Sequence, residues 1–142
     1  MLPRTAEYAL RAVMWLAAKP DQRHAAGALA LRTKIPRRYL HKVLQQLVQA
    51  GLVDSQPGPG GGYALAIPPA SLAILTVVNA VSPLERIRRC PLGLPAHTQL
   101  CPLHRELDRV YAETENAFAG VTVANLLNST NTIIPLCDVR RT

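Results

Sequence analysis

Two cysteines and a histidine flank one irregular segment of the chain. Cys90 follows two arginines, and Cys101 precedes His104 by three positions. Pro102 opens a helical pattern, so this spacing directs Cys101 and His104 towards one point. A thiol beside arginines and a helix N-terminus has a lowered pKa, which favours metal binding or redox chemistry. The set suits zinc or an iron–sulfur cluster, and the alternative is a pair of reduced buried cysteines beside a surface histidine.

A second set of candidate functional side chains lies on a predicted helix that begins at Pro36 and ends at Gly51. Apolar residues recur there at three- and four-residue spacing and predict one buried face: Leu40, Val43, Leu44, Leu47 and Val48. The other faces carry side chains that grip phosphates or read base edges: Arg37, Arg38, His41, Lys42, Gln45 and Gln49. The alternative is an ordinary solvated helix face.

A glycine-rich hairpin is predicted directly after this helix. Leu52–Ser55 and Tyr63–Ala66 alternate apolar with polar or small residues, as half-buried strands do. Residues 56–62 between them hold two prolines and four glycines. Glycine permits a positive φ and a close approach of the backbone to a phosphate. A basic helix followed by such a hairpin indicates a winged helix-turn-helix, in which the helix enters the major groove.

The positive charge of the chain is concentrated in the same half. The 142 residues carry a formal net charge of +7, and residues 1–50 hold nine Lys or Arg against two acids, Glu7 and Asp21. This asymmetry favours nucleic acid as a partner.

We find no phosphate-binding loop, nucleophile elbow or paired carboxylates, so we predict that the chain is not an enzyme. Glu7 and Arg11 interrupt the N-terminal apolar run and no segment resembles a membrane span, so we expect a cytoplasmic protein. Its three cysteines are then expected to be thiols or metal ligands rather than structural disulfides.

The expected fold is mainly α-helical with a small two-stranded β wing. Its predicted parts are a winged helix-turn-helix over residues 1–82, a cysteine-containing sensor loop over 83–101, a dimerisation helix and a short capping helix over 102–128, and a flexible tail over 129–142, which includes Cys137. Further helices are expected from an N-cap at Thr5 to Ala18, over Ala26–Arg32, near Thr76–Val81, over Pro102–Ala119 and from Thr122 to Asn128.

The long helix over Pro102–Ala119 has the pattern of a coiled-coil seam. Its seam residues step by four and three: Leu103, Leu107, Val110, Thr114 and Ala117. A two-fold dimer would cover this seam, and dimeric helix-turn-helix proteins read palindromic double-stranded DNA. The alternative is packing of the helix on its own winged domain.

Four motifs of the chain follow one family pattern. They are Thr5-Ala6-Glu7-Tyr8-Ala9-Leu10-Arg11, the run from Ile35 to Tyr63, Arg89-Cys90, and Cys101-Pro102-Leu103-His104. In these motifs the chain resembles the Rrf-type winged-helix repressors, which include the iron–sulfur biogenesis regulator and the nitric-oxide-sensing repressor of bacteria. The resemblance covers nearly the whole chain apart from the tail, and the glycine wing is its most specific part.

The resemblance implies a homodimer that binds promoter DNA and holds a 2Fe–2S cluster that tunes its DNA affinity. The cluster ligands that it implies are Cys90, Cys101, His104 and, from the partner subunit, Glu7. The predicted DNA contacts are Arg37, Arg38, Tyr39, His41, Lys42, Gln45, Ser55, Gln56, Gly58, Gly60 and Gly61. The chain departs from the family in having two loop cysteines where three are usual, with Pro95-Ala96-His97-Thr98 at the place of the middle one.

Two other regulatory schemes agree with the same residues. In the first, the chain is a cluster-free regulator that is switched by a Cys90–Cys101 disulfide or is not switched at all. In the second, zinc stiffens an RNA-binding or ribosome-associated module.

Overall fold

The computed structural model describes residues 2–136, so Cys137 and the rest of the predicted tail up to residue 142 lie outside the described residues. The helices are α1 (Arg4–Ala18), α2 (Ala26–Thr33), α3 (Arg37–Gln49), α4 (Ile74–Val81), α5 (Pro102–Ala119) and α6 (Val123–Leu127). The strands are β1 (Val53–Gln56) and β2 (Gly62–Leu65), and a short 3-10 turn covers Pro69–Ser71. The mainly α fold with a small wing is therefore confirmed.

Helix α1 forms the centre of the core. It contacts α2, α3, α4, α6 and β2. Ala6, Ala9 and Ala12 are fully buried along it, and such short side chains let neighbouring helices approach closely. The apolar face predicted for α3 packs on this helix, with Leu40 and Leu44 fully buried. The core therefore fixes the angle at which the opposite face of α3 is presented to solvent.

The turn between α2 and α3 depends on one left-handed residue. Lys34 caps α2 with a φ of 55°, and Ile35 is buried immediately after it. Pro36 then forms the N-cap of α3, whose first hydrogen bonds are accepted by the Pro36 carbonyl. At the other end, Gly51 has a φ of 77°, which confirms the left-handed stop expected there.

The wing is an antiparallel pair with Val53 opposite Leu65 and Gln56 opposite Gly62. Each strand lies one residue away from its predicted position. The first strand begins later because the Leu52 N–H closes the helix cap through a hydrogen bond to the Leu47 carbonyl. A third chain segment extends the hairpin: His24 and Tyr63 exchange backbone hydrogen bonds of 2.9 and 2.8 Å. The wing is thereby tied to the loop before α2.

Two helices begin earlier than predicted. Helix α1 begins at Arg4 with Pro3 as its N-cap, so the assignment of Thr5 as the cap was wrong. Proline suits this place because it supplies the carbonyl that accepts from Glu7 and needs no N–H. Helix α4 begins at Ile74, whose N–H donates to the Val121 carbonyl. That long-range hydrogen bond leaves no trace in the local sequence.

Helix α5 lies at the edge of the described fold. It packs on α4, and none of its residues is buried. Helix α6 follows with a capping box between Thr122 and Asn125, as the sequence led us to expect at Thr122. The segment from Ser129 to Leu136 returns to α1 and, together with Glu7 and Leu10, lines a groove of about 350 Å³. Within residues 2–136, no helix is long and apolar enough to cross a membrane.

Candidate nucleic-acid interface and cysteine loop

Helix α3 presents a continuous basic face to solvent. All six helix residues predicted to contact DNA are exposed: Arg37, Arg38, Tyr39, His41, Lys42 and Gln45. Within residues 2–136 no carboxylate forms an ion pair with Arg37, Arg38 or Lys42. Their charges are thus available to an external anion.

Tyr39 joins this face to α1. Its ring lies 5.9 Å from the ring of Tyr8, and the Arg38 guanidinium lies 4.7 Å from the Tyr39 ring centroid. Arg38 also donates a hydrogen bond of 3.2 Å to the Tyr39 hydroxyl. An aromatic pair of this kind contributes about 0.5–1.5 kcal/mol beyond its buried area. No local pattern indicated this contact, because the two tyrosines are 31 positions apart.

The wing tip is a tight turn that requires glycine. Gly58 and Gly60 have φ values of 86° and 74°, and the Gly61 N–H donates to the Gly58 carbonyl. A Cβ atom at Gly61 would lie 2.2 Å from the Gln56 carbonyl oxygen. Ser55 and Gln56 are exposed on β1 at the base of this turn. The predicted wing contacts therefore lie together on one exposed loop.

An arginine outside the predicted set anchors the wing. Arg23 forms an ion pair with Asp54 on β1 and donates a hydrogen bond of 3.2 Å to the Gly62 carbonyl on β2. Asp54 is the only carboxylate of the wing segment 52–66, so it neutralises an arginine of the same domain rather than opposing an incoming phosphate.

The cysteine loop holds one preformed pair of candidate ligands. Cys101 is the N-cap of α5, and its sulfur lies 3.4 Å from Nδ1 of His104. This confirms that their spacing directs both side chains towards one point. Both residues are half-buried, so the pair is accessible from one side.

Cys90 lies at the other end of the loop in a different environment. The pKa of its thiol is lowered by the backbone N–H of Leu94, with smaller contributions from those of Leu92 and Gly93, although partial desolvation acts in the opposite direction. Backbone N–H groups that converge on one sulfur favour the thiolate, which is the form that binds metals and attacks disulfides.

The four predicted metal ligands do not meet within one chain. Among residues 2–136 no group of three His, Cys, Asp or Glu side chains is placed to hold a metal ion. Glu7 forms an ion pair of 2.6 Å with Arg11, one turn along α1. The donor chemistry of Cys90, Cys101 and His104 suits zinc or iron, but a complete site would need closure of the loop or a ligand from a second chain.

An ion pair that the sequence did not reveal fixes the start of the loop on α5. Arg86 donates two hydrogen bonds of 2.7 Å to the Asp108 carboxylate, and the Ile87 N–H donates a third of 2.9 Å. The Arg86 hydrogen bonds, and then that of Ile87, lower the pKa of Asp108 from 3.8 to about 2. The partners are 22 positions apart, so no local pattern could have indicated their contact.

Helix α3, its turn and the wing together define a winged helix-turn-helix protein. The sequence profile of the Rrf2 family, described as iron-dependent transcriptional regulators, matches residues 2–129. The chain therefore belongs to the Rrf2 family of transcriptional regulators, which confirms the resemblance noted in its motifs.

Known relatives agree with this assignment. The chain is 29% identical over 128 residues to a putative helix-turn-helix transcriptional regulator of Aquifex aeolicus, a match that covers 87% of this chain and 89% of the relative. It is 31% identical over 106 residues to the regulator NMA1593 of Neisseria meningitidis, covering 74% and 72% of the two chains. These relatives are transcriptional regulators, which supports the prediction that the chain is not an enzyme.

Solved structures share the fold. IscR of T. potens matches with a TM-score of 0.74 and 20% identity, over 89% of this chain and 85% of that one. CymR, the global cysteine regulator of B. subtilis, matches with a TM-score of 0.74 and 20% identity, over 92% and 98% of the two chains. At this level of identity the likeness concerns the fold alone.

Proposed function

We propose that this chain is a dimeric repressor that binds a palindromic operator through α3 and the wing, and that a redox-active centre on the cysteine loop modulates this binding. One observation carries the DNA-binding part: the α3 face holds three exposed cations that no carboxylate of residues 2–136 pairs with, next to an exposed glycine wing. Membership of a family of DNA-binding regulators supports the same reading.

The proposed contacts divide by chemistry. Arg37, Arg38 and Lys42 grip phosphates or guanine edges, while His41 and Gln45 reach base edges from the same exposed face. Tyr39 orients Arg38 and contacts the backbone through its hydroxyl. Further contacts come from the wing, whose exposed backbone and side chains lie beside the neighbouring phosphates: Ser55, Gln56, Gly58, Gly60 and Gly61.

The dimer is proposed from the exposed seam of α5. Leu103 is 62% exposed, Leu107 37%, Val110 43% and Tyr111 43%, although all four are large and apolar. The intervals between them are four, three and one residues, so they form one stripe along the helix. A second copy of α5 would bury this stripe and bring two recognition helices to successive half-sites.

The regulatory centre is proposed at the cysteine loop. Cys90, Cys101 and His104 would hold an iron–sulfur cluster of the 2Fe–2S type, with Glu7 supplied by the partner subunit. Such a cluster supplies one-electron redox chemistry, and nitrogen or oxygen ligation in place of thiolate raises its reduction potential. A thiol switch is the second candidate, favoured by the stabilised Cys90 thiolate. A peroxide would oxidise Cys101 to a sulfenic acid, and the Cys90 thiolate would attack its sulfur, so that the disulfide forms and hydroxide leaves.

One anaerobic preparation tests these proposals together. Visible absorption with iron, sulfide and zinc counts identifies the centre, and sedimentation gives the oligomeric state. Selection of duplexes from a random library then shows whether the protein recovers a palindrome. Recovery of asymmetric or unrelated sequences would contradict the dimeric operator. Two results together would establish the thiol switch instead. The protein would be colourless and zinc-free with a DNA affinity that falls on oxidation, and the DNA affinity of a Cys90→Ser variant would not respond to oxidation.

A further inference from the structure

A pocket of about 370 Å³ opens between α1 and α2. It shares no lining residue with the cysteine loop or with the proposed DNA contacts. Its walls come from the end of α1, the following loop and α2: Trp15, Lys19, Gln22, His24, Ala28 and Arg32. Pockets that bind small molecules span about 300–1,000 Å³, so this one has room for a small ligand.

The rim of the pocket is positively charged. Lys19 and Arg32 are exposed, and no carboxylate of residues 2–136 forms an ion pair with either. Asp21, the one acid between Glu7 and Asp54 in the sequence, is not among the lining residues. Arginine pairs with a carboxylate through two parallel hydrogen bonds, so this rim favours an anion.

Trp15 supplies an aromatic wall. It is the only tryptophan of the chain, and its half-buried ring packs at the edge of the core. The Lys19 ammonium lies 5.3 Å from the centroid of this ring. A planar ring could stack on the indole while an attached carboxylate meets the cations. An aromatic anion would therefore use both features of the pocket, whereas a bare phosphate would use only the charge.

One wall of the pocket is joined to the wing. His24 is buried, and its Nε2 donates a hydrogen bond of 3.3 Å to the Lys19 carbonyl. The backbone of His24 exchanges two hydrogen bonds with Tyr63 on β2, and its neighbour Arg23 pairs with Asp54 on β1. A ligand in the pocket would thus contact the same loop that holds both strands of the wing.

We propose that this pocket binds a small aromatic carboxylate, with its ring against Trp15 and its carboxylate held by Lys19 and Arg32, and that the bound ligand weakens DNA binding through the wing. The binding step stands on the pocket alone. The effect on DNA rests on the proposed function, because it needs the wing to contact DNA. The ligand also neutralises cations of the basic domain, which acts in the same direction.

Trp15 makes the binding step directly measurable, since it is the only source of tryptophan fluorescence in the chain. The full chain is titrated with phenylacetate, with its neutral isostere phenylacetamide, and with acetate and inorganic phosphate as anions without a ring. We expect a saturable change with phenylacetate. Its affinity should exceed that of each other compound at least about tenfold, because each lacks either the charge or the ring.

Variants separate charge from shape. Arg32→Gln removes one cation, and Ala28→Leu fills the pocket from an exposed position of α2 with every charge in place. Each should weaken phenylacetate binding at least about tenfold. Arg4→Gln is the matched control, because it also removes one exposed cation but lies at the opposite end of α1, about 20 Å from Lys19. It should bind phenylacetate as the wild type does.

Anisotropy of a labelled duplex then measures the effect on DNA. Saturating phenylacetate should lower the affinity of the wild type and of Arg4→Gln at least about fivefold, and should leave that of Ala28→Leu unchanged. An unchanged affinity of the wild type, despite phenylacetate binding, would overturn the link to the wing.

The remaining outcomes separate the pocket from the proposed function. The site is overturned if phenylacetate gives no saturable change, if phenylacetamide or a ringless anion binds as tightly, or if Arg32→Gln and Ala28→Leu keep the wild-type Kd. Should one of these variants misfold, the other decides. A wild type that binds no duplex contradicts the proposed function, and the fluorescence titration still decides whether the pocket takes its ligand.

Discussion

Neutralising the three exposed cations of α3 tests the DNA interface most directly. Replacement of Arg37, Arg38 and Lys42 by glutamine removes their charge and keeps polar side chains of comparable length at exposed sites. Because no carboxylate pairs with these cations within residues 2–136, their loss strands no buried charge, and we expect the fold to be unaffected. The effect on DNA binding should therefore come from the lost phosphate contacts.

The size of the effect follows from counterion release. Each phosphate contact contributes about 0.9 to the slope of log affinity against log salt concentration on B-DNA. Three cations on each of two subunits give six contacts, so the triple variant should have a slope smaller by about 5. When the salt concentration rises from about 50 to about 200 mM, the DNA affinity of the wild type should therefore fall by a factor roughly a thousand times larger than that of the variant.

The assay is fluorescence anisotropy with a duplex that the wild type selects, at several salt concentrations. Arg109→Gln is the control for charge removed elsewhere: it removes one positive charge per chain, against three in the triple variant, and lies on α5, where Arg109 pairs with Glu106 and Glu113. Its slope should equal that of the wild type. An unchanged slope in the triple variant, with circular dichroism showing a folded protein, would refute the assignment of α3 as the recognition helix.

Three further predictions concern the rest of the chain. Leu107→Asp would place an unpaired charge in the proposed α5 interface, so sedimentation should show monomers with lost operator binding; a tight dimer would move the interface elsewhere. Because the pKa of Asp108 is lowered to about 2, its pairing with Arg86 stabilises the fold above about pH 4, and this stabilisation is lost as the pH falls towards 2. Thermal melts should therefore show that Asp108→Asn is less stable than the wild type at neutral pH and lacks this acid-dependent loss of stability. Glu7→Ala should change the visible spectrum or the chelator sensitivity of the cluster without dissociating the dimer, and unchanged values would exclude Glu7 as a ligand.

The parts of the fold that the sequence predicted well have local causes. Pro36 and Gly51 act on their own backbone, and the apolar spacing between them acts within one helix. The glycine run of the wing likewise specifies a turn that a side chain at Gly61 would obstruct. In these elements, each residue that favours a conformation lies within a few positions of the backbone that adopts it.

The errors and omissions have non-local causes. The start of α4 depends on the Val121 carbonyl, and the wing is extended by His24, which lies 39 positions before Tyr63. The Tyr8–Tyr39 contact and the Arg86–Asp108 pair also join distant segments. Such contacts arise only when the helices pack, so composition and periodicity do not predict them.

The candidate site shows the same division. The spacing of Cys101 and His104 within one helical turn was enough to predict their contact at 3.4 Å. The placement of Cys90 and Glu7 depends on how a loop and a second chain are arranged, which no spacing within one segment determines.

Helix α1 connects the proposed regulatory site to the proposed DNA face. Glu7 holds Arg11 at 2.6 Å, and the same arginine donates hydrogen bonds to the Thr33 and Lys34 carbonyls, at 3.3 and 3.4 Å. Lys34 is the left-handed residue at which the chain turns into α3. A carboxylate drawn onto a metal ion has less charge to share with an arginine, so ligation through Glu7 would weaken the hold of Arg11 on this turn.

A second contact leads in the same direction. Tyr8 follows Glu7 on α1, packs against Tyr39 of α3, and has the Arg11 guanidinium 5.4 Å from its ring centroid. A change in the Glu7–Arg11 pair therefore reaches both the backbone that starts the recognition helix and a side chain on its exposed face. Ligation through Glu7 would therefore act on the start and on the exposed face of α3 through these two contacts.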